Sequence, residues 1–226
     1  VNQAEMNAFG VNPDFRFGLW DWVGGRYSIW SSIGVSLAIA IGAERFQEFL
    51  VGGAEMDEHF LSAEWQKNLP ALMGLLGVWN VNFLKIPTLA VLPYSDRLSR
   101  FPAYLQQLEM ESNGKSIRMD GLEVGCATAP VVWGDPGSNA QHSYFQLLHQ
   151  GPDIIPIDFI AIREPMSHLA EAKTHHRILL SNCLAQAQAL ANGKEANHPN
   201  DTYPGKRPSN LIILPKLNAF YLGALL

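Results

Sequence analysis

The stretch PVVWGDPGSNAQHSYFQLLH, residues 130–149, decides the fold, because an apolar run, a Gly/Pro-rich loop and a helical pattern follow one another. We predict a strand over 130–133 and a helix over about 140–149, with GDPGSN between them. This order places the loop at the carboxyl edge of a sheet, where α/β proteins bind their ligands.

Strand-like and helical segments alternate along the rest of the chain. Short apolar runs predict strands at 89–92, 154–162 and 211–214, and 15–22 is read as a strand or an extended segment. Periodic apolar patterns predict helices at 28–41, 43–60, 69–83, 97–111, 171–191 and from 219 onward, and 120–121 is typical of a hairpin turn. The alternation predicts an α/β fold, a layered and mostly parallel sheet flanked by helices.

The composition is that of a globular protein, with 47% hydrophobic and 16% charged residues among 226. The net charge is -5 and no basic run occurs, so nucleic acid and anionic membranes are poor candidate partners. The longest apolar run, near 33–43, is shorter than the roughly 20 residues that cross a bilayer. Cys126 and Cys183 are too few for a disulfide framework and predict free thiols in a reducing cytoplasm.

The two ends predict a piece of a longer chain. The sequence begins at Val1 rather than at a methionine, and it stops in the apolar stretch 223–226. Such an end exposes apolar surface that a following segment would cover. We therefore expect truncation at both ends.

The first candidate for chemistry is VGGRYSIW at 23–30. Gly24 and Gly25 precede Arg26, and adjacent glycines let the backbone approach a ligand and free its amides as donors. Arg26 would then be a fixed cation beside negative charge that develops on a substrate. The spacing alone favours the alternative, a tight turn with a surface arginine.

The second candidate is QQLEMESNGK at 106–115. Ser112-Asn113-Gly114 is a helix-stop signal, which puts Glu111 in the last turn of a helix. A carboxylate there lies at the unfavourable negative end of the helix dipole, which suggests a function. Without other information, a solvated glutamate at a helix end is the better interpretation.

The third candidate is His142, which we place near the start of the helix that follows GDPGSN. His149 lies seven residues further on and would share its helix face. A metal site is rejected because that spacing is too long for one ion and no third ligand is evident. We interpret His149 as a satisfied helix histidine. The chain has no GxSxG, Walker A or GxGxxG motif.

Taken together, these stretches resemble the phosphoglucose isomerase family. The resemblance covers nearly the whole chain and is carried by WDWVGGRYSIWSSIG (20–34), MDEHF (56–60), RFPAYLQQLEMESNGK (100–115), VVWGDPGSNAQHSYFQLLHQG (131–151), HHRILLSNCLAQAQAL (175–190) and KRPSNLIIL (206–214). It implies the reversible conversion of glucose 6-phosphate to fructose 6-phosphate, without a metal or other cofactor.

The resemblance also assigns roles to single residues. Glu111 would shuttle a proton between C2 and C1, Arg26 would stabilise the enediolate, and His142 would help to open the pyranose ring. Gln107 and the backbone at Gly25 would bind the substrate. A positioned carboxylate, an arginine and an imidazole suit these steps.

The resemblance further implies a cytoplasmic homodimer of glycolysis and gluconeogenesis, in which His142 enters the neighbouring subunit's site. Residues 1–45 would end a first sugar isomerase-like domain, and 46–226 would form most of a second. The family's phosphate-binding loop and C-terminal lysine fall outside this chain, so we expect the chain alone to be inactive. Asp135 replaces the family's usual glutamate. The alternative is a non-catalytic sugar-phosphate-binding protein of the same fold.

Overall fold

The structure is a computed structural model that describes residues 2–167 and 169–226. Helices and strands alternate along most of its length. The helices are α1 (Gln3–Phe9), α2 (Val35–Ile41), α3 (Ala43–Ser62), α4 (Leu69–Val78), α5 (Phe101–Leu105), α6 (Gly137–Ala140), α7 (Phe145–Gln150), α8 (Ala172–Asn192) and α9 (Ala219–Leu225). The strands are β1 (Thr88–Pro93), β2 (Val131–Trp133), β3 (Ile157–Ile162) and β4 (Ser209–Leu214).

The chain folds as two compact units. The first runs to Glu58 and includes Asn218–Leu226, and the second is His59–Leu217. The predicted division between residues 45 and 46, into parts of two sugar isomerase-like domains, stays a prediction.

The second unit contains a parallel sheet with the strand order β2-β1-β3-β4. All six residues of β3 are buried, as expected for a central parallel strand that is covered on both faces. The sheet confirms the predicted α/β class and the strands expected near 89–92, 130–133, 154–162 and 211–214. β3 begins only at Ile157, because Pro156 has no N–H to donate to the sheet.

One buried carboxyl lies within this sheet. Asp158 of β3 is only 7% exposed, and its Oδ1 accepts a hydrogen bond of 2.7 Å from Nδ2 of Asn210 in β4. Burial raises the pKa of Asp158, and the hydrogen bond from Asn210 partly offsets that rise.

Four predicted helices are divided into shorter pieces. The helix expected over 69–83 is α4 followed by a π-helix, Trp79–Phe83. The helix expected over 28–41 begins as two 3₁₀ turns, Gly25–Trp30 and Ser32–Gly34, before α2. The helix expected over 97–111 is a 3₁₀ turn, α5 and a π-helix, Gln106–Glu111. The helix expected over 140–149 is α6 and α7, with the turn 141–144 between them. The segment 15–22 pairs with no strand in the described part of the chain.

Close contacts at glycines hold the first unit together. A Cβ on Gly52 of α3 would lie 1.9 Å from the carbonyl oxygen of Phe220, and one on Gly223 of α9 would lie 2.0 Å from that of Phe49. The two helices therefore touch backbone to backbone. The ring of Phe49 also stacks on that of Trp30 at 4.5 Å, which anchors the Gly25–Trp30 turn to α3.

Both cysteines are free thiols, Cys126 at the surface and Cys183 in the core. Burial raises the pKa of Cys183 to about 12, so the thiol stays protonated at neutral pH. Within residues 2–167 and 169–226, none of the helices is both long and apolar enough to traverse a bilayer.

Candidate active site

Glu111 closes the π-helix Gln106–Glu111, as the helix-stop signal predicts. One side of this helix is tied to β2. Nε2 of Gln106 donates to the carbonyl oxygen of Val132 at 3.0 Å, and the N–H of Val132 lies 3.4 Å from the sulfur of Met110. Wider turns of this kind are rare and often occur at functional sites.

Gln107 and Glu111 lie on the neighbouring face of the same helix. They are four residues apart, and each directly follows one member of the pair that contacts the sheet, Gln106 and Met110. Both are exposed. The contacts with β2 therefore fix the helix in a rotation that presents an amide and a carboxylate side by side.

His142 lies in the turn between α6 and α7, so the prediction that it begins a helix is wrong. The segment that leads to this turn leaves β2 at Gly134, whose φ is 158°. A Cβ there would lie 1.9 Å from the carbonyl oxygen of Val91. Only glycine fits at this position, because the chain passes directly against the backbone of β1.

Tyr94 supports the segment that leads to His142. It follows β1, is 2% exposed and packs its ring near that of Phe159. A Cβ on Gly137 would lie 2.0 Å from the Tyr94 ring. Nε2 of Gln141 donates to the Tyr94 hydroxyl at 2.9 Å, directly before the exposed His142. Burial raises the pKa of Tyr94, so the hydroxyl stays protonated.

Tyr144 lies on the other side of the turn. Its ring meets that of Trp133 edge to face at 4.7 Å. Burial, with a smaller effect from the charge of Asp135, raises the pKa of Tyr144 to about 12. The buried Tyr94 and the partly buried Tyr144 therefore hold the turn from two sides and stay neutral at physiological pH.

Arg26 belongs to the first unit, in the 3₁₀ turn Gly25–Trp30. The Ser28 hydroxyl donates to the carbonyl oxygen of Gly25 at 2.6 Å, which stabilises the turn. Within the described residues, nothing lies within 4 Å of a Cβ built on Gly25. The space beside this backbone is open, as a ligand-binding backbone requires. Arg26 itself is partly buried.

β2 connects the candidate residues of the second unit. The π-helix with Gln107 and Glu111 is bonded to its middle residue, Val132, and the segment to His142 begins directly after it. The structure therefore attaches the glutamine, the glutamate and the histidine to one strand of the sheet.

The family model of the phosphoglucose isomerases matches residues 1–226, the whole chain.

The chain belongs to the phosphoglucose isomerase family.

Its relatives carry a consistent name. The chain is 48% identical to the glucose-6-phosphate isomerase of Xanthobacter autotrophicus, across 98% of this chain and 44% of the relative. It is 50% identical to that of Burkholderia ambifaria, across 100% of this chain and 44% of the relative. The chain thus spans about 44% of the length of these curated relatives.

Solved structures agree with the fold. The crystal structure of a glucose-6-phosphate isomerase from Chlamydia trachomatis superimposes with a TM-score of 0.88 and 45% identity, covering 92% of this chain and 41% of that one. A hypothetical protein from Thermus thermophilus matches with a TM-score of 0.67 and 24% identity, covering 90% of this chain and 47% of that one. The second likeness shows the fold alone.

His149, which was predicted to be a satisfied helix histidine, has partners within the fold. Nε2 of His149 lies 2.8 Å from Oε1 of Gln186, and its ring meets that of Tyr203 edge to face at 5.2 Å. His142 and His149 share no helix face, since the turn separates them. In the described part of the chain, no three His, Cys, Asp or Glu residues lie together as metal ligands would.

The sequence analysis did not identify Tyr94 and Gln141 as residues that position the turn of His142. A tyrosine directly after an apolar strand is a weak signal, because it is common in cores. Gly134 and Gly137 are stronger signals, since two glycines within four residues of a strand end suggest close backbone approaches.

Proposed function

We propose that the protein interconverts glucose 6-phosphate and fructose 6-phosphate as an aldose–ketose isomerase of glycolysis and gluconeogenesis. The family assignment and the names of the relatives support this activity. One structural observation carries the proposal. Gln107 and Glu111 share an exposed face of a π-helix bonded to β2, the strand that leads directly to His142.

In the proposed reaction, His142 assists ring opening by giving a proton to the ring oxygen as the bond between C1 and that oxygen breaks, and it takes back the proton that the C1 hydroxyl releases as the aldehyde forms. Glu111 then takes the proton from C2, and the electron pair forms the C1–C2 double bond of an enediolate. Arg26 stabilises the negative charge on the oxygens, and Gln107 and the Gly25 backbone hold the sugar. A proton then moves from O2 to O1 and the C2–O2 bond becomes the carbonyl, while Glu111 returns its proton to C1; this gives the ketose and regenerates the carboxylate.

We also propose a homodimer in which His142 enters the partner subunit's site. The exposure of His142 in a turn, beside well-packed supports, is compatible with a side chain that serves a neighbouring copy. Activity in the cytoplasm, without a metal or other cofactor, remains part of the proposal.

The test is Glu111→Gln in the full-length protein, assayed for fructose 6-phosphate turnover with a coupled dehydrogenase. We expect kcat to fall about 10²–10⁴-fold, the usual contribution of a positioned acid–base group. KM should change little, because glutamine keeps the shape of the side chain. Glu109→Gln is the matched control. It neutralises the same charge two residues away, on a different helix face, and should keep near-normal kcat.

Near-normal turnover by Glu111→Gln would show that the base is another residue. Sugar phosphate binding without turnover in the unmodified full-length protein would instead support a non-catalytic binding protein of the same fold.

A further inference from the structure

A groove of about 410 Å³ lies between the loop that follows β3 and one face of α8. Its helical side includes Lys173, Arg177 and Leu184, whose spacings of four and seven residues place them on one stripe. The other side is the loop at Arg163, which follows the last residue of β3. The groove is therefore at the carboxyl edge of the sheet, where parallel α/β folds bind ligands.

Among the described residues, the cations Arg163, Lys173 and Arg177 line this groove and no carboxylate does. The whole chain carries a net charge of -5, so the groove has the opposite sign. Arg163 contacts the carboxylate of Glu164 at 3.3 Å, but both side chains are more than half exposed and the pair is weak. The guanidinium of Arg163 can therefore turn toward an anion in the groove.

The start of α8 adds to the positive potential. This helix is 21 residues long, and its first turn contains Lys173 and no acidic residue. Glu171, at the cap position, makes no side-chain capping hydrogen bond and does not line the groove. Cations near a helix N-terminus oppose the helix dipole and cost stability. A bound anion would relieve that repulsion.

His176 holds the two sides of the groove together. Its Nε2 lies 2.8 Å from the carbonyl oxygen of Ile162 and 3.1 Å from that of Arg163. Carbonyl oxygens only accept, so this nitrogen donates. The helix is thereby fastened to the end of β3, and the groove is formed before a ligand arrives.

Part of the groove is apolar. Pro165 lines it from the loop, and Leu180 and Leu184 line it from α8. Leu184 is 50% exposed, so this apolar side is open to a ligand. A ligand that fits has a charged head beside the cations and a carbon body against the leucines.

We propose that this groove binds a small organic dianion, with a phosphate monoester as the preferred class. Two guanidinium groups and an ammonium group suit a phosphate head, because the guanidinium fork binds two of its oxygens at once. None of the residues proposed for isomerisation lines the groove. The inference therefore goes beyond the proposed function and does not depend on it.

The first experiment locates bound phosphate without any substitution. The full-length protein is acetylated with a limiting acylating reagent, with and without saturating phenyl phosphate, at constant ionic strength. Mass spectrometry then gives the modification rate of each lysine. We expect Lys173 to be protected at least threefold and Lys67, an exposed lysine outside the groove, to be unaffected. No protection of Lys173 overturns the proposal.

The second experiment measures affinity by calorimetry with inorganic phosphate and with phenyl phosphate. Lys173→Gln combined with Arg177→Gln should weaken both by about tenfold or more, since charge-assisted contacts are lost. Lys67→Gln combined with Arg118→Gln removes the same charge from exposed sites outside the groove and should change both less than twofold. Equal weakening by the two double variants would mean diffuse surface charge only, and would also overturn the proposal.

The carbon body is tested by the ratio of the two affinities. Phenyl phosphate should bind severalfold more tightly than inorganic phosphate, and Leu184→Asn should remove most of that preference. An unchanged ratio in Leu184→Asn would contradict the apolar part of the site.

Discussion

Gly137→Ala tests whether the close contact between Gly137 and the Tyr94 ring is needed to position the turn of His142. The added Cβ would lie 2.0, 2.4 and 2.4 Å from three carbons of the Tyr94 ring. Carbon atoms in contact sit at about 3.5–4.0 Å, so the ring or the turn must move by more than an ångström. The Tyr94 ring is 2% exposed and packs near Phe159, so it cannot move without displacing other core side chains.

The structure sets the magnitude of the effect. Extra methyl groups in well-packed cores cost typically ~1–3 kcal/mol, and a contact this short against a fixed ring belongs at the upper end. We expect the free energy of unfolding of the full-length protein to fall by about 3 kcal/mol in urea titration. Because the turn carries His142, kcat in the coupled dehydrogenase assay should fall about tenfold or more, while KM changes less.

Gly125→Ala is the matched control. The same methyl group is added to a loop glycine of the same unit, but nothing lies within 4 Å of its Cβ and its φ is not positive. We expect a change within about 0.5 kcal/mol, as for ordinary surface substitutions. If Gly137→Ala unfolds at the same urea concentration as Gly125→Ala and keeps its kcat, the reasoning about Tyr94 is refuted.

Three other predictions follow from single contacts. Because burial raises its folded pKa, Asp158 contributes stability below its unfolded pKa and loses it as pH rises toward the folded value. Asp158→Asn should therefore raise the urea midpoint increasingly as pH rises above about 4, unlike the exposed Asp153→Asn. Tyr94→Phe deprives Gln141 of its acceptor, so we expect a loss of about 1 kcal/mol in urea and a lower kcat at similar KM; an unchanged kcat would contradict the positioning role. Gly223→Ala pushes a methyl group into the backbone of α3 and should lower Tm by several degrees, measured by calorimetry; an unchanged Tm would contradict the close helix crossing.

The chain alone is expected to give no measurable turnover. It spans about 44% of the length of the curated relatives, and the family resemblance implies that a phosphate-binding loop and a C-terminal lysine lie outside it. Coupled assay of the purified 226-residue chain checks this, with the full-length protein as the positive control. Turnover by the chain alone would contradict it.

The sheet could be predicted because each strand is a compact apolar run with a clear boundary. β3 is buried along its whole length, and such a run has few alternatives to a central parallel strand. The end of the Glu111 helix could also be predicted, because Ser112-Asn113-Gly114 is a strong stop signal. The structure explains the glycine, since a Cβ on Gly114 would lie 2.3 Å from the carbonyl oxygen of Met110.

The departures from α-helix at 106–111 and 141–144 could not be predicted, because tertiary contacts stabilise them. Nothing local in 106–111 distinguishes a π-helix from an α-helix; the contacts of Gln106 and Met110 with β2 do. Likewise, 140–149 has an unbroken helical pattern, yet the hydrogen bond from Gln141 to Tyr94 helps hold its start in a separate turn. The roles of Glu111, His142 and Arg26 came from family resemblance and stay predictions.

The π-helix gives this region a tolerance of one residue in chain length. It holds about one more residue than an α-helix would between the same two ends. Deleting a residue such as Leu108 would therefore let 106–111 relax to α-helical winding without rotating the residues that follow. Gln107 and Glu111 would then be three residues apart, a spacing that still places two side chains next to each other on one face. Homologues should therefore accept a one-residue gap between Gln107 and Glu111 more readily than a two-residue gap.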